Sequence, residues 1–438
     1  MSDSMATQIG DKGGFIAALD QSGGSTPGAL RQYGIPDSAY SGDAEMYAAM
    51  HAMRVRIMSA PAFTGEKVIA AILFERTMDG EAGGKPVPAF LWDRGVVPFL
   101  KVDKGLEAEA QGVSIMKPIP ELDALLARAK GLGVFGTKMR SVINLSDRDG
   151  IAAVVRQQFE VGAQISAAGL MPILEPEVSI KSPDKAGAET LLAEALHHGL
   201  DALPKGQQVM LKLTIPEKAD LYEPLSHHPG VMRIVALSGG YSRTESCRRL
   251  AACHGMIASF SRALVEGLTK DMDDATFDAA LAASIDEIYQ ASTVKLTLDL
   301  RDPALDAGSV RAALGLAPHP EGGAFREVWR DVLAGGGRGA GTSILFLLAA
   351  GERSHWHRVD AAEVWLWQAG APLRLGIGTE WLRLGPDLGT GEALQAAVPA
   401  GAWQAAESMG AWSLVACVVA PAFEFAGFTM APPGWAPG

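Results

Sequence analysis

The stretch VMLKLTIP, residues 209–216, decides the fold. It is an apolar run with one lysine, Lys212, in its middle. A strand covered on both faces reads as a near-continuous hydrophobic run. An ammonium buried there without a partner is costly. Seven other short runs have the same form, apolar and closed by polar residues: GFIAALD (14–20), VIAAILFE (68–75), VVPFLKVD (96–103), VFGTKMR (134–140), LMPILEPE (170–177), MRIVALSGG (232–240) and MIASFSR (256–262). Helical patterns with charged faces lie between most of them, such as IPELDALLARAK (119–130) and AETLLAEALHHGLDAL (188–203). Strand and helix alternating eight times predict an α/β fold of the (β/α)8 TIM-barrel type.

The active site of such a barrel lies at the C-terminal ends of its strands. The runs end in Asp20, Glu75, Lys101 and Asp103, Lys138 and Arg140, Glu175 and Glu177, Lys212, Ser238, and Ser259 with Arg262. Any one of these alone reads as a solvated loop residue. Eight runs ending alike predict one mouth on which they converge. Lys101, Lys138 and Lys212 would then share a pocket, where clustered cations and desolvation lower the pKa of an amine. A neutral amine adds to a carbonyl and forms a Schiff base. Asp20, Glu175 and Glu177 are the carboxylates placed for general acid/base work. The barrel half contains no HxxxH, HxH or CxxC, which favours an imine over a metal as the electrophile. LSGGYS (237–242) and ASFSRAL (258–264) leave the seventh and eighth strands, the usual phosphate site of this fold. Arg262 adds a forked donor set there. Lys101 and Lys138 would hold a second phosphate opposite, so the expected substrate is a ketose bisphosphate.

Composition agrees with an enzyme. The chain has 438 residues, 48% hydrophobic and 20% charged, and a net charge of −12. That charge argues against nucleic-acid and anionic-membrane partners. Three cysteines without metal spacing fit a reducing compartment. With no signal-peptide pattern and no apolar run of membrane-spanning length, the expected location is cytoplasmic.

The motifs GFIAALDQSGGSTPGAL, ILFERTMD, GVVPFLKVDKGL, FGTKMRS, PILEPEV, MLKLTIP, LSGGYSR and ASFSRAL closely resemble the class I fructose-bisphosphate aldolases, nearest to their short bacterial form. The resemblance runs from residue 1 to about 293. It implies a metal-independent lyase acting on sugar phosphates, with Lys212 as the Schiff-base lysine and Glu175 as the acid/base. Glu177 is the second carboxylate of that motif. Asp20 assists carbon–carbon cleavage, and Lys138 stands beside the imine. Lys101 and Arg140 are expected as substrate contacts, and Ser238, Gly239, Gly240 and Arg262 as the phosphate cradle. Arg31 is a further basic contact. The tyrosine-tipped tail of the long eukaryotic-type enzymes has no counterpart. A homo-oligomer is expected.

The predicted organisation is a barrel over 1–295, a junction over 296–308 and a second domain over 309–438. In the last, tryptophan becomes frequent and short strands alternate with Gly and Pro turns, as in an antiparallel barrel or jelly roll. LAGGGRGAG (333–341) reads as a flexible loop. In GERSHWHRVDAAEVWLWQAG (351–370), His355 and His357 alternate on a strand and are expected to face one side. With Glu363 they would make a two-histidine, one-carboxylate set able to take a divalent metal. This resembles a first cupin motif; VPAGAWQ (398–404) resembles the second, with Gln404 where metal-binding cupins often carry histidine. The segment is similar to an uncharacterised cupin family, related in fold to sugar-nucleotide epimerases. His319, Glu321 and Arg326 join the expected pocket. Fold does not give function, so two roles stand beside the aldolase: a sugar or sugar-phosphate isomerase or epimerase, and a non-enzymatic assembly or ligand-sensing module.

Overall fold

The computed structural model describes residues 3–22, 26–296, 299–302, 304–333 and 335–438. Gly23–Ser25 of the first motif, Thr297, Leu298 and Pro303 of the junction, and Ala334 lie outside the described residues. The chain divides into two compact units, Met1–Leu296 and Thr297–Gly438.

All eight apolar runs of the first unit are strands: β1 (Phe15–Leu19), β2 (Val68–Leu73), β3 (Val97–Lys101), β4 (Gly136–Ile143), β5 (Met171–Val178), β6 (Val209–Thr214), β7 (Val231–Leu237) and β8 (Met256–Phe260). Each pairs in parallel with the next, and β8 returns to β1, closing the barrel. Strand alternation divides every run between two environments. Outward residues such as Leu211, Leu213 and Leu174 pack under the surrounding helices. Inward residues Ile16, Ala18, Val97, Phe99, Ile173, Met210 and Val235 fill the barrel. The helix α1 (Asp3–Asp11) adds Met5 and Ile9 to that inner cluster. Arg233 on β7 donates to the Ile9 carbonyl at 2.9 Å, satisfying one carbonyl of its last turn. The interior is therefore apolar below, and the inward positions turn charged toward the C-terminal ends.

The second unit opens with the helix Ala307–Leu314, and its named strands pair antiparallel. Its strands are β9 (Ala324–Arg330), β10 (Thr342–Ala349), β11 (Arg353–Val359), β12 (Ala362–Gly370), β13 (Leu373–Ile377), β14 (Glu380–Leu384), β15 (Gln395–Val398), β16 (Gln404–Ser408), β17 (Trp412–Ala420) and β18 (Phe428–Met430). One sheet runs β9-β10-β17-β12-β15, with Ala317–Pro318 added beside β9; the other runs β14-β13-β16-β11-β18. Phe346, Trp365, Leu375, Ala406 and Val415 form the core between these sheets, as in a jelly roll. The glycine-rich loop is anchored through Arg338, which holds Asp360 with two bonds of 2.7 and 2.8 Å.

Candidate active site and candidate ligand cavity

At the C-terminal mouth of the barrel, one charged cluster takes the places of the inward apolar residues. Lys138 (β4) sits between Asp20 and Glu175, its Nζ 2.7 Å from Asp20 Oδ2 and 2.8 Å from Glu175 Oε2. Lys212 (β6) lies 3.0 Å from Glu175 Oε1. Lys101 (β3) pairs with Asp103 at 2.8 Å, and Asp103 stands 3.9 Å from Lys138. Lys138, Lys212, Glu175, Asp20 and Asp103 are all buried. They line one open cavity of about 710 Å³ with Arg140, Glu177, Ser238, Gly239, Ser259 and Arg262.

The electrostatics differ from the sequence expectation. Clustered lysines were expected to depress one another, but carboxylates interleave with them. Burial alone pulls Lys138 down, yet Asp20, Glu175 and Asp103 outweigh it and hold its pKa well above the usual lysine range. Burial likewise opposes the charge of Asp20 and Glu175, and Lys138 and Lys212 overcome it, holding both below the usual carboxylate range. Lys138 is thus fixed as an ammonium shared by two buried carboxylates.

Other predicted residues occupy the rim. Glu177 receives Arg140 at 2.5 Å, so this carboxylate is committed to an arginine. Gly239 has φ +61°, and a Cβ there would stand 2.6 Å from Ile180 Cγ2, so the turn leaving β7 takes glycine. Gly240 is exposed beside Arg262, just outside the cavity lining. Arg31 is exposed, pairs with Asp37 at 2.7 Å and is not part of the cavity lining, although its neighbours Gly28, Ala29 and Gln32 are. The sequence reading missed a supporting layer. Buried Arg54 donates to Thr77 Oγ1 at 2.7 Å and to the Gln21 carbonyl at 2.5 Å, and the Gln21 side chain reaches Ser261 at 2.7 Å. This ties the end of β1 to the end of β8. Arg54, one of two arginines in the helix Gly42–Ser59, carries no sequence signal for that role.

In the second unit, the expected His355–His357 pairing is wrong. The register between β11 and β16 shifts between Ser354 and His357, a bulge that breaks the two-residue alternation. Ser354 and His357 are buried, whereas His355 is exposed and outside the cavity lining. The set His355, His357 and Glu363 is therefore not gathered. Among the described residues, no group of three or more His, Cys, Asp or Glu side chains is arranged to hold a metal ion. Arg326 is also exposed.

Four of the expected pocket residues, His319, Glu321, His357 and Glu363, are nevertheless brought together, joined by Cys417. These side chains line an enclosed cavity of about 80 Å³, walled by Phe325, Phe423, Phe425 and Phe428. Gly322 makes the turn that carries Glu321 inward: its φ is +107°, and a Cβ there would meet the Arg353 carbonyl at 2.2 Å. Glu321 Oε1 accepts from Ser354 at 3.0 Å, while Oε2 faces His357 Nε2 at 3.4 Å and His319 Nδ1 at 3.6 Å. Gln404 donates to Glu363 at 2.6 Å and accepts from Trp365 Nε1 at 2.8 Å, so it is spent on orienting Glu363. Burial pushes Glu321 up to about 8 and Glu363 up to about 7, and His319 down to about 4.

A buried lysine touching one proton acceptor at the mouth of a parallel barrel defines a site equipped for amine–carbonyl chemistry. Comparison with known proteins narrows the class. The family model for fructose-bisphosphate aldolase class-I matches residues 3–209. The chain is 58% identical over 280 residues to the fructose-bisphosphate aldolase class 1 of Synechocystis sp., covering 64% of this chain and 93% of that protein. It is 52% identical over 293 residues to the protein of the same name from Porphyromonas gingivalis, covering 67% of this chain and 99% of that one. A fructose-bisphosphate aldolase structure from Plasmodium falciparum matches 67% of this chain and 95% of its own at a TM-score of 0.53 and 19% identity, a likeness of fold. The chain belongs to the class I fructose-bisphosphate aldolase family. The family model for the cupin superfamily (DUF985) matches residues 309–431, which places a cupin domain after the barrel.

Proposed function

We propose that the barrel cleaves fructose 1,6-bisphosphate reversibly to dihydroxyacetone phosphate and glyceraldehyde 3-phosphate, with Lys212 as the nucleophile. The observation that carries the choice of lysine is the difference in partners. Lys138 is clamped by two carboxylates and kept charged, whereas among the described residues Lys212 forms an ion pair with Glu175 alone, which can accept its proton. The Lys212 amine adds to the ketose carbonyl; Glu175 returns a proton to the departing hydroxyl, and water leaves as the imine forms. Asp20 takes the C4 hydroxyl proton, the C3–C4 bond breaks, and its electron pair moves into the protonated imine. Glyceraldehyde 3-phosphate leaves. The proton taken by Asp20 passes through solvent water to Glu175, whose acid form then protonates the enamine carbon; addition of water to the imine releases dihydroxyacetone phosphate and restores the Lys212 amine and both carboxylates. The imine is the electron sink, so this scheme requires no metal. Lys138 steadies the charge on Asp20 and Glu175 as protons move. Ser238, Gly239 and Arg262 take one phosphate and Lys101 with Arg140 the other, while Glu177 holds Arg140 in place.

Borohydride trapping tests the scheme. Reduction in the presence of fructose 1,6-bisphosphate should leave a sugar-phosphate adduct on the peptide VMLKLTIPEK and none on the Lys212→Met protein. Turnover that survives Lys212→Met would overturn it. The three free, buried cysteines support a cytoplasmic setting. Exposed Val328, Trp329, Val332 and Leu333 support a homo-oligomer, which light scattering on the full chain would measure. For the cupin, the acid-lined cavity supports ligand binding over sugar-phosphate isomerisation. Among the described residues its lining carries one arginine, Arg330, against three carboxyl groups, Glu321, Glu327 and Glu363, a balance that disfavours a phosphate.

A further inference from the structure

In the polar wall of the cupin cavity, His357, Ser354 and Gln404 have their donors already used, while His319 accepts from the Glu321 N–H at Nδ1 (3.4 Å) and so carries its proton on Nε2. The Nδ1 of His357 lies 2.8 Å from the His355 carbonyl, which fixes the proton on Nδ1 and leaves Nε2 as a lone pair toward Glu321. Ser354 spends its hydroxyl on Glu321, and Gln404 spends its amide on Glu363. Among the described residues no lysine or arginine forms an ion pair with either carboxyl. The remaining wall is aromatic. Phe428 stacks on His357 with centroids 5.4 Å apart, and Phe423 packs against Phe428 at 6.0 Å. Buried carboxyls without a counter-ion, one oriented imidazole lone pair and several ring faces together suit a compact cation that carries N–H donors.

We propose that this cavity binds a small organic ammonium ion, its N–H groups donated to Glu321, Glu363 and His357 Nε2 and its carbon atoms set against the phenylalanine rings. The proposal rests on the ligand-binding reading of the cupin and adds the ligand's class. An anionic ligand would meet Glu321, Glu363 and the rim carboxylate Glu327. A neutral polyol would leave both carboxyls in their protonated form and release no proton. The groups that face the site and can exchange protons with it are His319, His357, Glu321, Glu363 and Cys417, with the Glu327–Arg330 pair at the rim. A bound cation stabilises the charged form of the two carboxyls, so binding should release protons near neutral pH.

Calorimetric titration of the full-length protein at matched ionic strength tests this. The probes are methylammonium and dimethylammonium, with glycerol, glycerol 3-phosphate and magnesium as comparators. The expected result is saturable binding of an ammonium probe, with heat that depends on buffer ionisation. Affinity should fall roughly tenfold or more in Glu363→Gln and Glu321→Gln, while aldolase turnover is unchanged. Phe428→Leu, a milder change, should weaken the ammonium probes and leave the comparators alone. Ammonium binding that is absent, or unchanged in both Gln variants, overturns the inference. Saturation by glycerol or magnesium without ammonium binding overturns the ammonium class but leaves a binding cavity. Isomerisation of a sugar phosphate by the Lys212→Met protein would instead overturn the ligand-binding reading beneath it.

Discussion

Replacing Lys138 by methionine removes the cation on which the active-site charges balance. Its Nζ lies 2.7 Å from Asp20 and 2.8 Å from Glu175, with all three side chains buried. An adjacent opposite charge lowers a carboxyl pKa by about one to three units, each unit worth about 1.4 kcal/mol. Lys212 remains beside Glu175, so the two losses do not add in full. Breaking a buried ion pair by removing one partner costs about 3–5 kcal/mol, and that is the expected loss for the barrel at pH 7. The sign in pH follows from the direction of the shifts. Asp20 and Glu175 are held low in the folded protein, so their stabilisation is present above the ordinary carboxylate range and disappears as pH falls toward their folded values. In Lys138→Met the folded pKa values rise, and this contribution is already gone at neutral pH. The gap between parent and variant should therefore be widest near pH 7 and narrow as the pH is lowered through about 4. Urea unfolding followed by helical circular dichroism reports the barrel, because the long helices, such as Arg148–Ala167 and Asp274–Thr293, lie in the first unit. The acid limb of kcat/KM should move up by about one unit or more in the same variant. A stability gap that stays constant as the pH falls from 7 to about 2, or an unmoved acid limb, would refute the electrostatic reasoning.

Gly239→Ala should raise KM for the bisphosphate about tenfold with little change in kcat. An added methyl at φ +61° meets Ile180 and strains the turn by about 1–3 kcal/mol; steady-state kinetics separates the two parameters. Exhaustive dialysis against EDTA should leave aldolase kcat within about twofold; loss of activity restored by a divalent metal would defeat an imine as the sole electron sink. Gln404→Leu breaks the Trp365–Gln404–Glu363 chain and should destabilise the cupin by about 1–3 kcal/mol. Tryptophan fluorescence reports that unit, since Trp92 is the sole tryptophan before residue 297; aldolase kinetics should not change.

The answer to why a lysine sits in VMLKLTIP is now physical. Positions 209, 211 and 213 face the helices, and 210 and 212 face inward, so one strand serves a core on one side and a reactive mouth on the other. That division was legible because the period of a strand is two and polar residues, charged in seven of the eight runs, recur at the same end. The periodicity failed at His355 for a related reason. Alternation assumes an unbroken ladder, and one extra residue in β11 reverses the facing of all that precedes it.

By itself the sequence determined the order of strands and helices, the change to an all-β unit, and the residue types that meet at the barrel mouth. These follow from local hydrophobic period and turn chemistry. Only the tertiary structure decided who pairs with whom: that Lys138 rather than Lys212 is clamped by two carboxylates, that Glu177 is committed to Arg140, that Arg54 holds Gln21, and that His355 is turned out of the cupin cavity. Pair energies fall off within a few ångströms and change sign with the partner's charge. Distances across a closed barrel, and across a bulged sheet, do not exist until the chain has folded.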